Sequence, residues 1–152
     1  MYDHPFQWGS KRTGPDLARV GGKYSDAWHK DHMTDPRSVV PESVMPPYAF
    51  LNRKSLDYED IGDKLKAMQR LGVPYTQAEV DNAAVDLQAQ ADPFDTAGTK
   101  LKARYGTKVL IRDFDGEPDR VTEMDALIAY LQMLGTLVDF HTYKAEAPEN
   151  LR

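Results

Sequence analysis

The sequence predicts an all-α domain with long loops and a helical insertion, and three observations carry that prediction. First, apolar residues recur at helical spacing in three segments: Ile61, Leu65, Met68 and Leu71; Val80, Ala83, Ala84, Leu87 and Ala91; Met124, Leu127, Ile128, Leu131 and Leu134. That is the 3.6-residue period of a single buried helix face. Second, only one short run, Lys108-Val109-Leu110-Ile111-Arg112, reads as a strand. Third, prolines and glycines punctuate the first 48 residues closely enough to forbid long regular elements there.

In chain order, residues 1–25 carry Pro5, Gly9, Gly14, Pro15, Gly21 and Gly22 and read as extended loop with a short turn around Leu17-Ala18-Arg19-Val20. Ser25 suits the N-cap of a helix through Met33, which must end before Asp35-Pro36 because the residue preceding proline avoids the helical region. Trp28 belongs on its inner face. A second helical turn at Asp35-Pro36-Arg37-Ser38, with proline in the first helical position, leads into a loop where Pro41, Pro46 and Pro47 bracket Val44-Met45. Helix 57–71 stops at Gly72. Thr76 with Glu79 forms a capping box for a helix that Asp92-Pro93 terminates, so the two pair as a hairpin through Val73-Pro74-Tyr75. A shorter helix spans 95–105. Asp113-Phe114-Asp115-Gly116-Glu117-Pro118-Asp119 is an acidic turn whose alternating carboxylates suggest calcium, although it lacks the spaced glutamate of an EF-hand loop. Thr122 caps the strongest helix, with Asp125 in a capping-box position and Gly135 as its stop. The tail, about 140–152, is polar and proline-interrupted and is expected to be mobile.

Composition sets the functional bounds. A chain of 152 residues with net charge −5 and no cysteine is one domain's worth of globular sequence. Scattered positive charge argues against a nucleic-acid partner, which requires a basic face. No apolar run approaches the roughly 20 residues of a membrane span. The absence of thiols excludes disulfides, thiolate nucleophiles, zinc-cysteine sites and thioether attachment of haem. No serine lies in a Gly-x-Ser-x-Gly setting, and Gly21-Gly22 lacks the Lys-Ser/Thr of a phosphate loop.

Three stretches resemble a known family: the segment Tyr2-Asp3-His4-Pro5-Phe6-Gln7-Trp8-Gly9-Ser10-Lys11-Arg12-Thr13-Gly14-Pro15-Asp16-Leu17, the Met45 loop, and Glu123-Met124-Asp125-Ala126-Leu127-Ile128-Ala129-Tyr130-Leu131. They are similar to the mono-haem cytochrome c subunit (subunit II) of cbb3-type cytochrome c oxidases. The resemblance covers nearly the whole chain and implies one cytochrome c-like domain over 1–152, with an insertion at about 52–113. It implies haem c as the cofactor in the full-length family, and a non-catalytic role relaying electrons toward the haem-copper catalytic subunit. The implied location is the periplasmic side of the bacterial inner membrane. Implied partners are the other cbb3 oxidase subunits and a soluble or membrane-bound cytochrome c donor.

At residue level, the resemblance implies Met45 as the axial thioether on iron. It also implies that the Pro15 carbonyl accepts from the proximal histidine's ring N–H, and that Trp28 walls the haem crevice. Arg12 would pair with a haem propionate, while Leu17 and Tyr48 would complete the cofactor-binding set. A thioether is a weak, soft ligand for iron, so its binding depends on being held in place beforehand. The family's N-terminal membrane helix and Cys-x-x-Cys-His motif do not occur in these residues. The expectation is therefore a fragment in which haem is absent or noncovalent, attached to the membrane only through a helix not present here. Two other readings stay open: a redox-inactive scaffold or subunit-interaction domain, and a small metal site using His29 and His32, three residues apart on one helix.

Overall fold

Side-chain caps mark the starts of the helices at Pro36, Gln77 and Glu123. The computed structural model describes residues 17, 20–117 and 119–136. Among them are seven α-helices: α1 Asp26–Thr34, α2 Pro36–Val39, α3 Ile61–Arg70, α4 Gln77–Asp81, α5 Ala83–Ala91, α6 Gly98–Tyr105 and α7 Glu123–Met133, with a 3₁₀ turn at Ala49–Asn52 between α2 and α3. The all-α prediction holds. Extended backbone pairs only at an isolated antiparallel bridge, Ser55 with Thr122, among the described residues.

Asp35 caps α2 by accepting from the Arg37 N–H, with Pro36 in the first turn as expected. The capping box at α4 is present in both directions: Thr76 Oγ1 accepts from Glu79 N–H, and Glu79 Oε2 accepts from Thr76 N–H at 2.6 Å. At α7, Thr122 N–H donates to Asp125 Oδ2 at 3.0 Å while Asp125 N–H donates to Thr122 Oγ1 at 3.1 Å. Each reciprocal pair satisfies helix N–H groups that have no partner within the helix.

Three details depart from the sequence reading. The helix expected over 57–71 begins only at Ile61, because Asp57 accepts from the Glu59 N–H and keeps that stretch in a turn. The helix expected after Thr76 is interrupted at Asn82, whose backbone (φ −105°, ψ 6°) departs from helical values although its N–H still donates to Ala78 O at 3.2 Å; its Nδ2 donates to the same oxygen at 2.8 Å. The strand-like run 108–112 forms no strand. Its Arg112 N–H donates to Gln90 O at the end of α5, and Ile111 packs over Gly98, its Cδ1 3.4 Å from where a Cβ would stand. Without a neighbouring extended segment, β-branched residues pack where apolar area is available.

The chain separates into two compact units, Asp26–Ala129 and Met1–Ser25 with Tyr130–Arg152. In the first, Phe114, Met124 and Ile128 are fully enclosed, with Met33, Leu51 and Ala129 at their rim. Burying each large side chain stabilises by roughly 1.5–3 kcal/mol. Val80, Ala83, Ala89 and Leu101 bury the contacts among α4, α5 and α6, where Arg104 makes a two-pronged ion pair with the buried Asp86. In the second unit, Val20 and Leu131 are buried, and Gly21 N–H donates to Leu134 O at 2.9 Å. Any side chain at Gly21 would begin 2.4 Å from that same carbonyl oxygen, so the close approach requires glycine. No helix among the described residues is long and apolar enough to cross a membrane. The expected mobile tail lies outside the described residues.

Candidate functional site

Met45 sits half-buried in the loop between α2 and the 3₁₀ turn, beside Val44, which is 82% exposed. The loop is tied at several points. Its exit is fixed where Tyr48 N–H donates to Met33 O at 2.7 Å, at the end of α1. Asn52 Nδ2 donates to Thr34 Oγ1 at 2.9 Å, which holds the 3₁₀ turn to the same helix end. Within the loop, Ser43 Oγ accepts from Met45 N–H at 3.2 Å, and Ser43 O accepts from Arg37 Nε at 3.1 Å. The sulfur-bearing residue is thus held by α1 and α2 together with its prolines.

Trp28 is half-buried rather than enclosed, and the buried residue of α1 is His29, at 3% exposure. Trp28 stacks on His32, one turn along, with ring centroids 4.6 Å apart and planes within 9°, and meets His29 edge-on. Burial holds the pKa of both imidazoles below the ordinary histidine value; for His29, Asp26 opposes the shift and His32 adds to it. Tyr48 is half-buried, its ring 6.0 Å from that of Phe50. Leu17 is 57% exposed and belongs to the other compact unit. Pro15 and Arg12 lie outside the described residues.

The acidic turn is a hydrogen-bonded cap. Asp113, Asp115 and Asp125 each bring one carboxylate oxygen within 4.8 Å of the others. Their oxygens are nevertheless engaged internally. Asp113 Oδ1 accepts from Gly116 and Glu117 N–H, Asp115 Oδ2 accepts from Thr122 Oγ1 at 2.5 Å, and Asp125 Oδ1 accepts from Asp115 N–H at 3.0 Å. Burial, with the Asp115 charge adding to it, pushes the Asp125 carboxyl above the usual range, while N–H donors from Thr122 and Asp115 pull it back. A cavity of about 350 Å³ opens beside this turn, lined by Tyr58, Gln88 and Asp92 among others, and Met45, Trp28 and Tyr48 take no part in it.

A family profile described as cytochrome C oxidase, mono-heme subunit/FixO, matches residues 1–138. The chain belongs to this family. A comparison with curated proteins finds no match. As a FixO-family chain, it is a mono-haem subunit of a cytochrome c oxidase, of the kind found in cbb3 oxidases, and it works in electron transport.

The residues of this FixO chain fit the thioether side of a haem site. Met45 is a soft donor on a loop restrained by prolines and hydrogen bonds, and its half-buried setting suits a ligand that must face both an apolar plate and the protein. The attachment side differs, since there is no thiol anywhere in the 152 residues. His29, buried, and His32, stacked on Trp28, both belong to α1 and not to the Met45 loop. Sequence reasoning did not single out the Arg37 and Ser43 contacts. Ser43 stands two residues before Met45, the spacing of a serine turn, and that was a readable signal. The reach of Arg37 across six residues leaves no mark in sequence.

Proposed function

We propose that this chain is the electron-relaying domain of a cbb3-type terminal oxidase, passing electrons from a soluble or membrane-bound cytochrome c toward the haem-copper subunit on the periplasmic side. The observation that carries the reading is the family match over residues 1–138. Met45 would hold the sixth position on iron and Pro15 would accept from the proximal imidazole. Trp28 and Tyr48 would wall the crevice, and Arg12 would neutralise a propionate. Haem c, when bound, supplies the one-electron iron couple. The chain's own work is to present the sulfur, exclude water and carry the docking surface. No general base or nucleophile is required, so the subunit is not itself an enzyme. With no thiol among these residues, haem held by them alone is held noncovalently.

The test is Met45→Leu in the subunit expressed with an upstream Cys-x-x-Cys-His segment. Intact mass is expected to show covalent haem in both forms. The substitution should change the low-spin visible spectrum and lower the reduction potential, because methionine ligation raises it. Unchanged spectrum and potential would remove Met45 from the iron. A second reading, a redox-inactive scaffold, is favoured by the missing thiols and by the exposed Met68 and Leu71 at the end of α3. It predicts no Soret band when the 152-residue chain is titrated with haem.

A further inference from the structure

Prolines 41, 46 and 47 fix φ at their own positions and bias Val40 and Met45 toward extended backbone, but they leave Glu42, Ser43 and Val44 unrestrained. The side chain that has to be held in place is therefore preceded by three free residues. Ser43 closes that gap with all three of its polar groups. Its N–H donates to Val40 O at 2.9 Å, its carbonyl accepts from Arg37 Nε at 3.1 Å, and its hydroxyl accepts from Met45 N–H at 3.2 Å. The Arg37 backbone is fixed, since its N–H is bound by the α2 cap Asp35 and its helix begins at the buried Pro36. We infer that Arg37 and Ser43 are positioning residues for Met45, a clamp that transmits the rigidity of α2 to the thioether. This rests on the reading of Met45 as the axial ligand.

The physical reason for such a clamp is entropic. A thioether gains little on binding iron, so a loop that must be ordered at that moment loses much of the gain, whereas a loop ordered beforehand does not. Neither residue would touch the metal or the porphyrin. Both lie on exposed or half-exposed backbone, so their replacement leaves the core formed by Phe114, Met124 and Ile128 intact.

The experiment measures amide order parameters of the 152-residue chain by NMR without haem, for Ser43→Ala, Arg37→Gln and the conservative Ser43→Thr. Met45 is expected near the rigid value of about 0.85 in the parent and below about 0.6 in Ser43→Ala and Arg37→Gln, with Ser43→Thr restoring rigidity. An unchanged order parameter in both disrupting variants would overturn the clamp whatever haem does. In the haem-loaded subunit, the same two variants should lose part of the methionine-ligated spectrum and Ser43→Thr should keep it. If the loop loosens but both these variants and Met45→Leu leave that spectrum untouched, the contacts are real but their role toward iron is overturned along with the axial reading. If Met45→Leu alters the spectrum and the clamp variants do not, only the positioning role falls.

Discussion

His29 is 3% exposed on α1, and burial keeps its pKa below the ordinary value, so the folded chain holds it neutral near pH 7. Unfolded, it takes up a proton near pH 6.5. The unfolded state therefore binds more protons in the window from about pH 6.5 down to the lowered folded pKa, and stability falls as pH drops through that window. His32 is shifted in the same direction and adds to the slope. Urea midpoints of parent and His29→Gln, measured between pH 7.5 and 5, should show a shallower acid loss in the variant. Equal slopes would assign the acid sensitivity elsewhere. Asp125 works in the opposite sense. Its carboxyl is raised by burial, so its contribution is complete below its unfolded pKa and declines as pH rises through the folded one.

At the scale of elements, the caps decide where helices begin, and the α7 cap does more than others. Thr122 is wholly buried, exchanges two hydrogen bonds with Asp125, and donates its hydroxyl to Asp115. Replacing an N-cap threonine with alanine costs about 1 kcal/mol in typical helices. Thr122→Ala would also leave a buried Asp115 oxygen without its donor, which costs about 1–3 kcal/mol more. The expected total, about 2–4 kcal/mol, is large enough to lower the thermal midpoint measurably by circular dichroism. A loss of only about 1 kcal/mol, that of the cap alone, would show that the Asp115 contact adds nothing. These caps were legible in sequence because side-chain oxygens at fixed offsets from backbone N–H groups are a local matter, as at Asp35-Pro36, Thr76 with Glu79, and Thr122 with Asp125. The Asn82 break was not legible, since asparagine in mid-helix points outward as readily as it bonds back to the chain. The fate of 108–112 was not legible either, because a strand needs a neighbour and sequence pattern does not show one. In the Met45 loop, proline stiffening could be read directly. The Arg37 contact depends on the path of a loop already built, and His29 rather than Trp28 fills the inner face of α1 because burial is set by rotation of the helix, not by residue size.

At the scale of the whole molecule, burial is unevenly spread, and dynamics should follow it. The Asp26–Ala129 unit places Met124 and Ile128 of α7 at 0% exposure, whereas α3 contains no buried residue and leaves Met68 at 44%, with Leu71 just past its end at 80%. The apolar stripe that made this segment read as an amphipathic helix in sequence is thus only partly covered in the folded chain. Local opening costs little where few apolar groups leave contact with their neighbours, so α3 amides should exchange through small openings and α7 amides only through global unfolding. Native-state hydrogen exchange under rising urea separates the two. The α3 amides should show opening free energies well below the global value and nearly independent of denaturant, while those of α7 should fall with the full slope of unfolding. Equal protection in α3 and α7 would mean that α3 unfolds only with the rest of the unit, so that exposure on this helix does not translate into local freedom.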